Sequence, residues 1–225
     1  MKKLLPLLFF IIACALNIYG KYADIPELAA AVKPALMPLL ALTTVVYALD
    51  NRLERGSLEL LICAQLFGCA GDIFLLSSEF ALFASGIAAF LIGHIFYMTL
   101  FGGRSWKGLT WWGWLISLAV MVVIVFLMVK LLEIEGALSI PMAIYGMALM
   151  LLIFSTLCGL IRFRDKGTWA ILLCGALLFT FSDALIAADT FKVISFNQLP
   201  ATIMATYLAA QSLLAIGGVR LAKKN

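Results

Sequence analysis

Charge is scarce in this chain. Asp, Glu, Lys and Arg make up 12% of its 225 residues, about half the share of an ordinary soluble domain, and histidine occurs once. No polar tract or charge run longer than a short loop interrupts it, which excludes a disordered chain and leaves no linker between domains. No segment alternates apolar and polar residues in the way a membrane β-barrel strand requires. All five cysteines (Cys14, Cys63, Cys69, Cys158 and Cys174) fall inside apolar runs, so a disulfide scaffold is excluded too. With a single histidine and no Cys/His pair at ligand spacing, neither a transition-metal site nor a cofactor is expected.

Apolar residues are what the chain has in excess. They account for 64% of it, and the mean hydropathy of +1.10 excludes a soluble globule. A helix needs about 20 apolar residues to cross a bilayer. Runs at 4–19, 32–48, 58–76, 81–101, 111–132, 137–161, 169–188 and 199–219 predict an all-α polytopic membrane protein of eight transmembrane helices, one integral membrane domain over residues 1–225. Turn-forming and charged residues fill the breaks, including Asp50 to Gly56, Glu133 to Gly136 and Lys192 to Pro200. The basic start and apolar middle of the first run also fit a cleavable signal peptide. Its length and the bulky Asn17-Ile18-Tyr19-Gly20 end favour an uncleaved span.

Of the sixteen Lys and Arg, only Lys21, Lys33, Lys130 and Lys192 fall on the side opposite the termini. The positive-inside rule therefore places both termini in the cytoplasm. The formal net charge of +4 sits beside the membrane, where anionic headgroups read it, and gives no reason to expect a nucleic-acid partner.

A faint internal echo accompanies this layout. Cys63 precedes Asp72 in the third helix by the same nine residues that separate Cys174 from Asp183 in the seventh, and the same offset lays Lys33-Pro34 over Ile144-Tyr145. Two parallel four-helix halves are one expectation that follows.

A carboxylate within a lipid-crossing helix costs roughly 2.5 to 3.5 kcal/mol on insertion scales, so Asp72 and Asp183 each require a partner, a wet cavity or a proton. Both are expected at matching depths, four or five residues before the outer ends of their helices. Gln65, Gly68, Cys69 and Asp72 share one helical stripe that should face protein. His94 lies with Tyr97, Phe90 and Gly86 along one side of the fourth helix. Lys33-Pro34 is expected to open the second helix, where the cation either neutralises one Asp or grips a lipid phosphate. Tyr145, Tyr207 and Gln211 are polar groups at depth, read either as helix glue or as site residues, with Tyr145 the first choice. Asp189 and Glu79 read as interface or capping residues.

Taken in order, Lys33-Pro34, Gly71-Asp72, Gly86, Phe90, His94, Tyr97, Tyr145, Gly175, Phe179, Ser182 and Asp183 resemble the YhhN family of multipass membrane proteins, over the second to eighth helices. Gly68 departs from the pattern, standing where a hydroxyl residue is expected in many members. The resemblance implies a lysoplasmalogenase-like hydrolase acting on a lysophospholipid among membrane lipids. Such an enzyme opens the vinyl ether by acid/base catalysis to a fatty aldehyde and a glycerophospho-headgroup. In that reading Asp72, Asp183 and His94 are catalytic, with Asp183 favoured as proton donor for its more apolar flanks. Lys33, Tyr97, Tyr145 and Ser182 contact substrate, and no metal takes part. The expected location is a bacterial inner membrane. A small-molecule or proton-coupled transporter is the competing expectation, because intramembrane Asp, His and Tyr also line substrate pathways. A scaffold whose polar residues only fix helix packing is a third.

Overall fold

The computed structural model describes residues 4–51, 53–77, 79–132 and 139–223. Among them eight helices form: α1 (Leu5–Tyr22), α2 (Pro26–Asn51), α3 (Arg55–Phe74), α4 (Phe80–Ser105), α5 (Trp111–Leu131), α6 (Ser139–Arg162), α7 (Lys166–Thr190) and α8 (Leu199–Ala222). All eight are long and apolar enough to cross a membrane, and the chain is an integral membrane protein. The break at Glu133 to Gly136 and the expected first residues of the sixth helix lie outside the described residues.

The expected spans recur as helices with shifted ends, most of all in α2. Lys33-Pro34 does not open this helix; Pro34 and Pro38 both lie inside it. The true start is marked by Pro26, whose missing N–H costs nothing in a first turn, and by Glu27 beside the positive end of the helix. Within the helix Pro38 has no N–H to offer the carbonyl of Pro34. The Cys69 thiol of α3 donates to that carbonyl instead, at 3.5 Å. A proline defect thus becomes an α2–α3 contact.

Packing follows a closed circuit in which α2 meets α3, α3 meets α4, α4 meets α6, α6 meets α7, α7 meets α8, and α8 returns to α2 and α3. Two helices stand outside it. α1 lies against α2 and α8, with the buried Asn17 side chain donating to the Ala29 carbonyl at 2.8 Å. α5, the most hydropathic helix and the least covered by protein, lies mainly against α6. Its Leu115, Ile116, Val123, Phe126 and Leu127 remain exposed for lipid.

Close approach is what fixes the α3–α4 pair. A Cβ on Gly93 would lie 3.2 Å from the Ala64 carbonyl oxygen, tighter than an ordinary contact, so glycine lets the two backbones approach this closely without displacement. At the end of the bundle where α2, α4 and α6 finish, polar contacts tie the connections. Arg104 meets Glu54 at 2.7 Å and Ser57 at 3.0 Å, and Arg162 donates to the carbonyls of Ser105 and Lys107. Asp165 caps α7 by accepting from the Thr168 N–H, and hydrogen bonding from the Thr168 side chain and backbone holds its carboxyl below the usual carboxylate range.

Candidate active site

Asp72 and Asp183 line one cavity of about 440 Å³ at the opposite end of the bundle. Its walls come from the end of α1, α2, the ends of α3 and α7, and the starts of α4 and α8, and include Lys21, Lys33, Phe90, Asp189, Met204 and Tyr207. A larger cavity of about 660 Å³ lies at the other end between α3 and α4, but its Glu54 and Arg104 are paired with each other and neither intramembrane Asp reaches it.

The expected stripe on α3 does face protein. Gln65 and Asp72 are buried, Gly68 is covered, and Ile73 points outward with nearly half its surface exposed. Asp72 is bound on both carboxylate oxygens. Lys33 of α2 lies 3.5 Å from Oδ1, and the Tyr207 hydroxyl of α8 donates to Oδ2 at 2.8 Å. Lys33 therefore neutralises an acid, one of the two roles expected for it, and its side chain is only 12% exposed while doing so. From Tyr207 a buried polar chain runs deeper. Gln211 Nε2 donates to the Tyr207 oxygen at 3.4 Å, and Tyr97 donates to Gln211 Oε1 at 2.7 Å.

Asp183 has a simpler environment. The Tyr145 hydroxyl of α6 donates to its Oδ2 at 2.5 Å, and it forms no ion pair among the described residues. A small apolar recess of about 30 Å³ between Leu75, Phe83, Ile87, Met142 and Ile186 adjoins both Asp183 and Tyr145.

The two carboxylates differ in their distance from the helix ends. Asp72 lies two residues before the end of α3 and Asp183 seven before the end of α7, rather than the expected four or five in each. α3 stops early because Leu75 and Leu76 bond back to Gly71 and Ile73 in a tight turn, while α7 continues through Thr190, whose hydroxyl bonds the Ile186 carbonyl. Both nevertheless line the one cavity, from unequal positions along their helices.

Three expected site residues occupy other places. The Ser182 hydroxyl is buried and donates to the Ile203 carbonyl at 3.0 Å, joining α7 to α8 beside the cavity that Ile203 lines and Ser182 does not. Tyr97 reaches Asp72 only through Gln211 and Tyr207. His94 packs edge-on against Tyr145 and Phe179, with ring centroids 5.4 and 4.6 Å away. Neither of its nitrogens has a hydrogen-bond partner of ordinary geometry, and it bonds to neither Asp. Tyr207, weighed both as helix glue and as a site residue, binds Asp72 together with Lys33. Phe90, in T-shaped contact with Tyr207 and Phe179, forms the cavity floor between the two acids.

The YhhN family model matches residues 28–218, the span that contains every one of these residues except Lys21. The chain belongs to the YhhN family. It is 31% identical to lysoplasmalogenase TMEM86B of Homo sapiens, over 82% of this chain and 73% of that protein. To lysoplasmalogenase TMEM86B of Mus musculus it is 32% identical, over 94% of this chain and 85% of that one. It is also 28% identical to lysoplasmalogenase TMEM86A of Bos taurus, over 96% and 88% of the two chains. No solved structure matches it. YhhN membership and relatives of this kind give the chain a family-level assignment as a hydrolase in a lipid environment.

Proposed function

We propose that this protein is a lysoplasmalogenase-like hydrolase that cleaves the vinyl ether of a lysoplasmalogen inside the bilayer. The observation that carries the reading is one cavity lined by two carboxyl groups with unlike partners, a cation and a phenol for Asp72 and a phenol alone for Asp183. Vinyl ether hydrolysis asks for that division, because it needs one group that gives a proton and one that is charged.

In this mechanism Asp183 carries the proton and Asp72, beside Lys33, carries the charge. The double bond takes the Asp183 proton at the carbon beyond the ether-bearing one, and the ether-bearing carbon becomes an oxocarbenium ion. The Asp72 carboxylate stabilises that cation and accepts a proton as water adds to it. The resulting hemiacetal gives its hydroxyl proton to Asp183 while Asp72 protonates the departing glycerol oxygen. A fatty aldehyde and a glycerophospho-headgroup leave, and both acids return to their starting states. As Asp183 gives up its proton, charge develops on the oxygen that Tyr145 already contacts. The small apolar recess beside Asp183 suits the reactive end of the alkenyl chain. With the termini in the cytoplasm of a bacterial inner membrane, the cavity opens on the outer face.

The chain Asp72–Tyr207–Gln211–Tyr97 is the feature that favours a proton-coupled carrier as the second reading. Purified protein in detergent separates the two. The enzyme releases aldehyde from lysoplasmalogen with no sealed compartment, and Asp183→Asn abolishes the release while eluting as folded protein. Asp72→Asn is best made together with Lys33→Met, so that no lone cation is left buried. Aldehyde release that persists in both variants would remove the mechanism, whereas flux confined to vesicles establishes the carrier.

A further inference from the structure

The mouth of the cavity holds charges that the proposed hydrolysis does not use. Lys21, near the end of α1, and Asp189, near the end of α7, both line it. Neither forms an ion pair among the described residues. Lys33 has a counter-charge in Asp72, whereas Lys21, a partly buried cation in the same lining, has none among the described residues. Two like charges near low-dielectric walls draw an anion towards the one left unpaired. Asp189 is exposed at the same opening and offers the opposite charge to a cation arriving from water.

We propose that Lys21 and Asp189 form the headgroup subsite, in which Lys21 binds the phosphodiester and Asp189 the terminal ammonium of a zwitterionic lysophospholipid. The inference rests on the hydrolase reading and reassigns one of its parts. The phosphate was first expected on Lys33, which Asp72 occupies; the unpaired lysine nearer the mouth takes it instead. The glycerol then bridges from mouth to floor, which brings the ether bond down to Asp72 and Asp183.

The test compares three alkenyl lipids of one chain length: one with a phosphoethanolamine headgroup, one with a phosphate monoester, and alkenylglycerol with neither. Kinetics are measured on purified wild type, Lys21→Gln and Asp189→Asn. For Lys21→Gln, the KM of both phosphate-bearing lipids relative to alkenylglycerol rises about tenfold, the value of one charge-assisted hydrogen bond. For Asp189→Asn, that ratio rises for the phosphoethanolamine lipid alone. Equal effects on all three lipids, or none, overturn the subsite. Binding of the non-hydrolysable alkyl-ether lysophosphoethanolamine, read as thermal stabilisation, gives an arm without turnover. Stabilisation of wild type that is lost in Lys21→Gln, in a protein that releases no aldehyde, retains the subsite and refutes the hydrolase. Aldehyde release with no such loss of stabilisation does the reverse.

Discussion

Replacing Tyr145 or Tyr207 by Phe removes one hydroxyl from one acid in each case, and the structure gives the two losses different consequences. Among the described residues Asp183 has a single hydrogen-bond donor, Tyr145 at 2.5 Å, whereas Asp72 keeps Lys33 at 3.5 Å when Tyr207 is lost. The proposed reaction also uses them differently. Asp183 becomes charged only as it yields its proton, so its contact with Tyr145 strengthens in the transition state; Asp72 is charged beforehand, so Tyr207 stabilises ground and transition states alike. A hydrogen bond to a charged group contributes about 1.5 to 3 kcal/mol, and about 1.4 kcal/mol is tenfold in rate. Tyr145→Phe is therefore expected to lower kcat by about ten- to a hundredfold, with Tyr207→Phe staying within a few-fold. Fatty aldehyde release by purified protein measures both, with gel filtration to establish that each variant is folded. Equal kcat in Tyr145→Phe and wild type, or a larger loss in Tyr207→Phe, would refute the assignment of Asp183 as proton donor.

Two further outcomes concern stability in detergent, read from thermal unfolding. Lys33→Met and Asp72→Asn each leave a nearly buried polar partner without its counterpart, at a cost of about 3 kcal/mol, while the double variant recovers much of that loss; strictly additive losses would mean the pair is not coupled. Gly71→Ala would set a methyl 2.6 Å from the Phe90 ring, which Phe179 and Tyr207 hold in place, so about 1 to 3 kcal/mol of stability is expected to be lost, and a neutral Gly71→Ala would show that Phe90 is free to move.

Transmembrane spans were legible because hydropathy is a local property, and each of the eight runs became a helix. The end of α2 nearest the cavity was missed for a reason equally local. Counting apolar residues passes over Pro26 and Glu27, although these two are the start signals of the helix. Asp72, Asp183, Lys33 and Tyr145 were legible as ionisable or polar groups at depth. What they touch was not, because it depends on how helices rotate against one another. Ser182 shows this most simply. Neighbouring residues on a helix point about 100° apart, so the side chain next to Asp183 turns to the α8 backbone and does not line the cavity. Tyr145 was preferred to Tyr207 on the sequence, yet each of them donates to one of the two acids. The pairing of Tyr207 with Asp72 spans 135 residues, and no pattern within α8 announces it.

Gly68, where a hydroxyl residue was expected, also gains its meaning from packing. A Cβ there would lie 3.2 Å from Gln211 Nε2 and 3.5 Å from the Tyr207 hydroxyl, so a serine side chain would enter the polar chain behind Asp72 and not reach the cavity itself. Its absence leaves the cavity-facing contacts of Asp72 intact, since Lys33 and Tyr207 supply both.

The offset that lays Asp72 over Asp183 also lays Lys33-Pro34 over Ile144-Tyr145. In the folded chain α2 supplies Lys33 to Asp72 on α3, and α6 supplies Tyr145 to Asp183 on α7. In each case the helix before the acid's own provides its partner, from positions one residue apart under the offset. What differs is the chemistry of the partner, an ammonium from α2 and a phenol from α6. Two buried carboxyl groups in identical surroundings would have no means of dividing a proton in a fixed sense, and an enzyme that needs one acid and one base would gain nothing from having both. Unlike partners supply that sense. Under the proposed mechanism, exchanging them by Lys33→Tyr with Tyr145→Lys is expected to reverse it, so that α2 and α6, and not the acids themselves, set the proposed roles of Asp72 and Asp183.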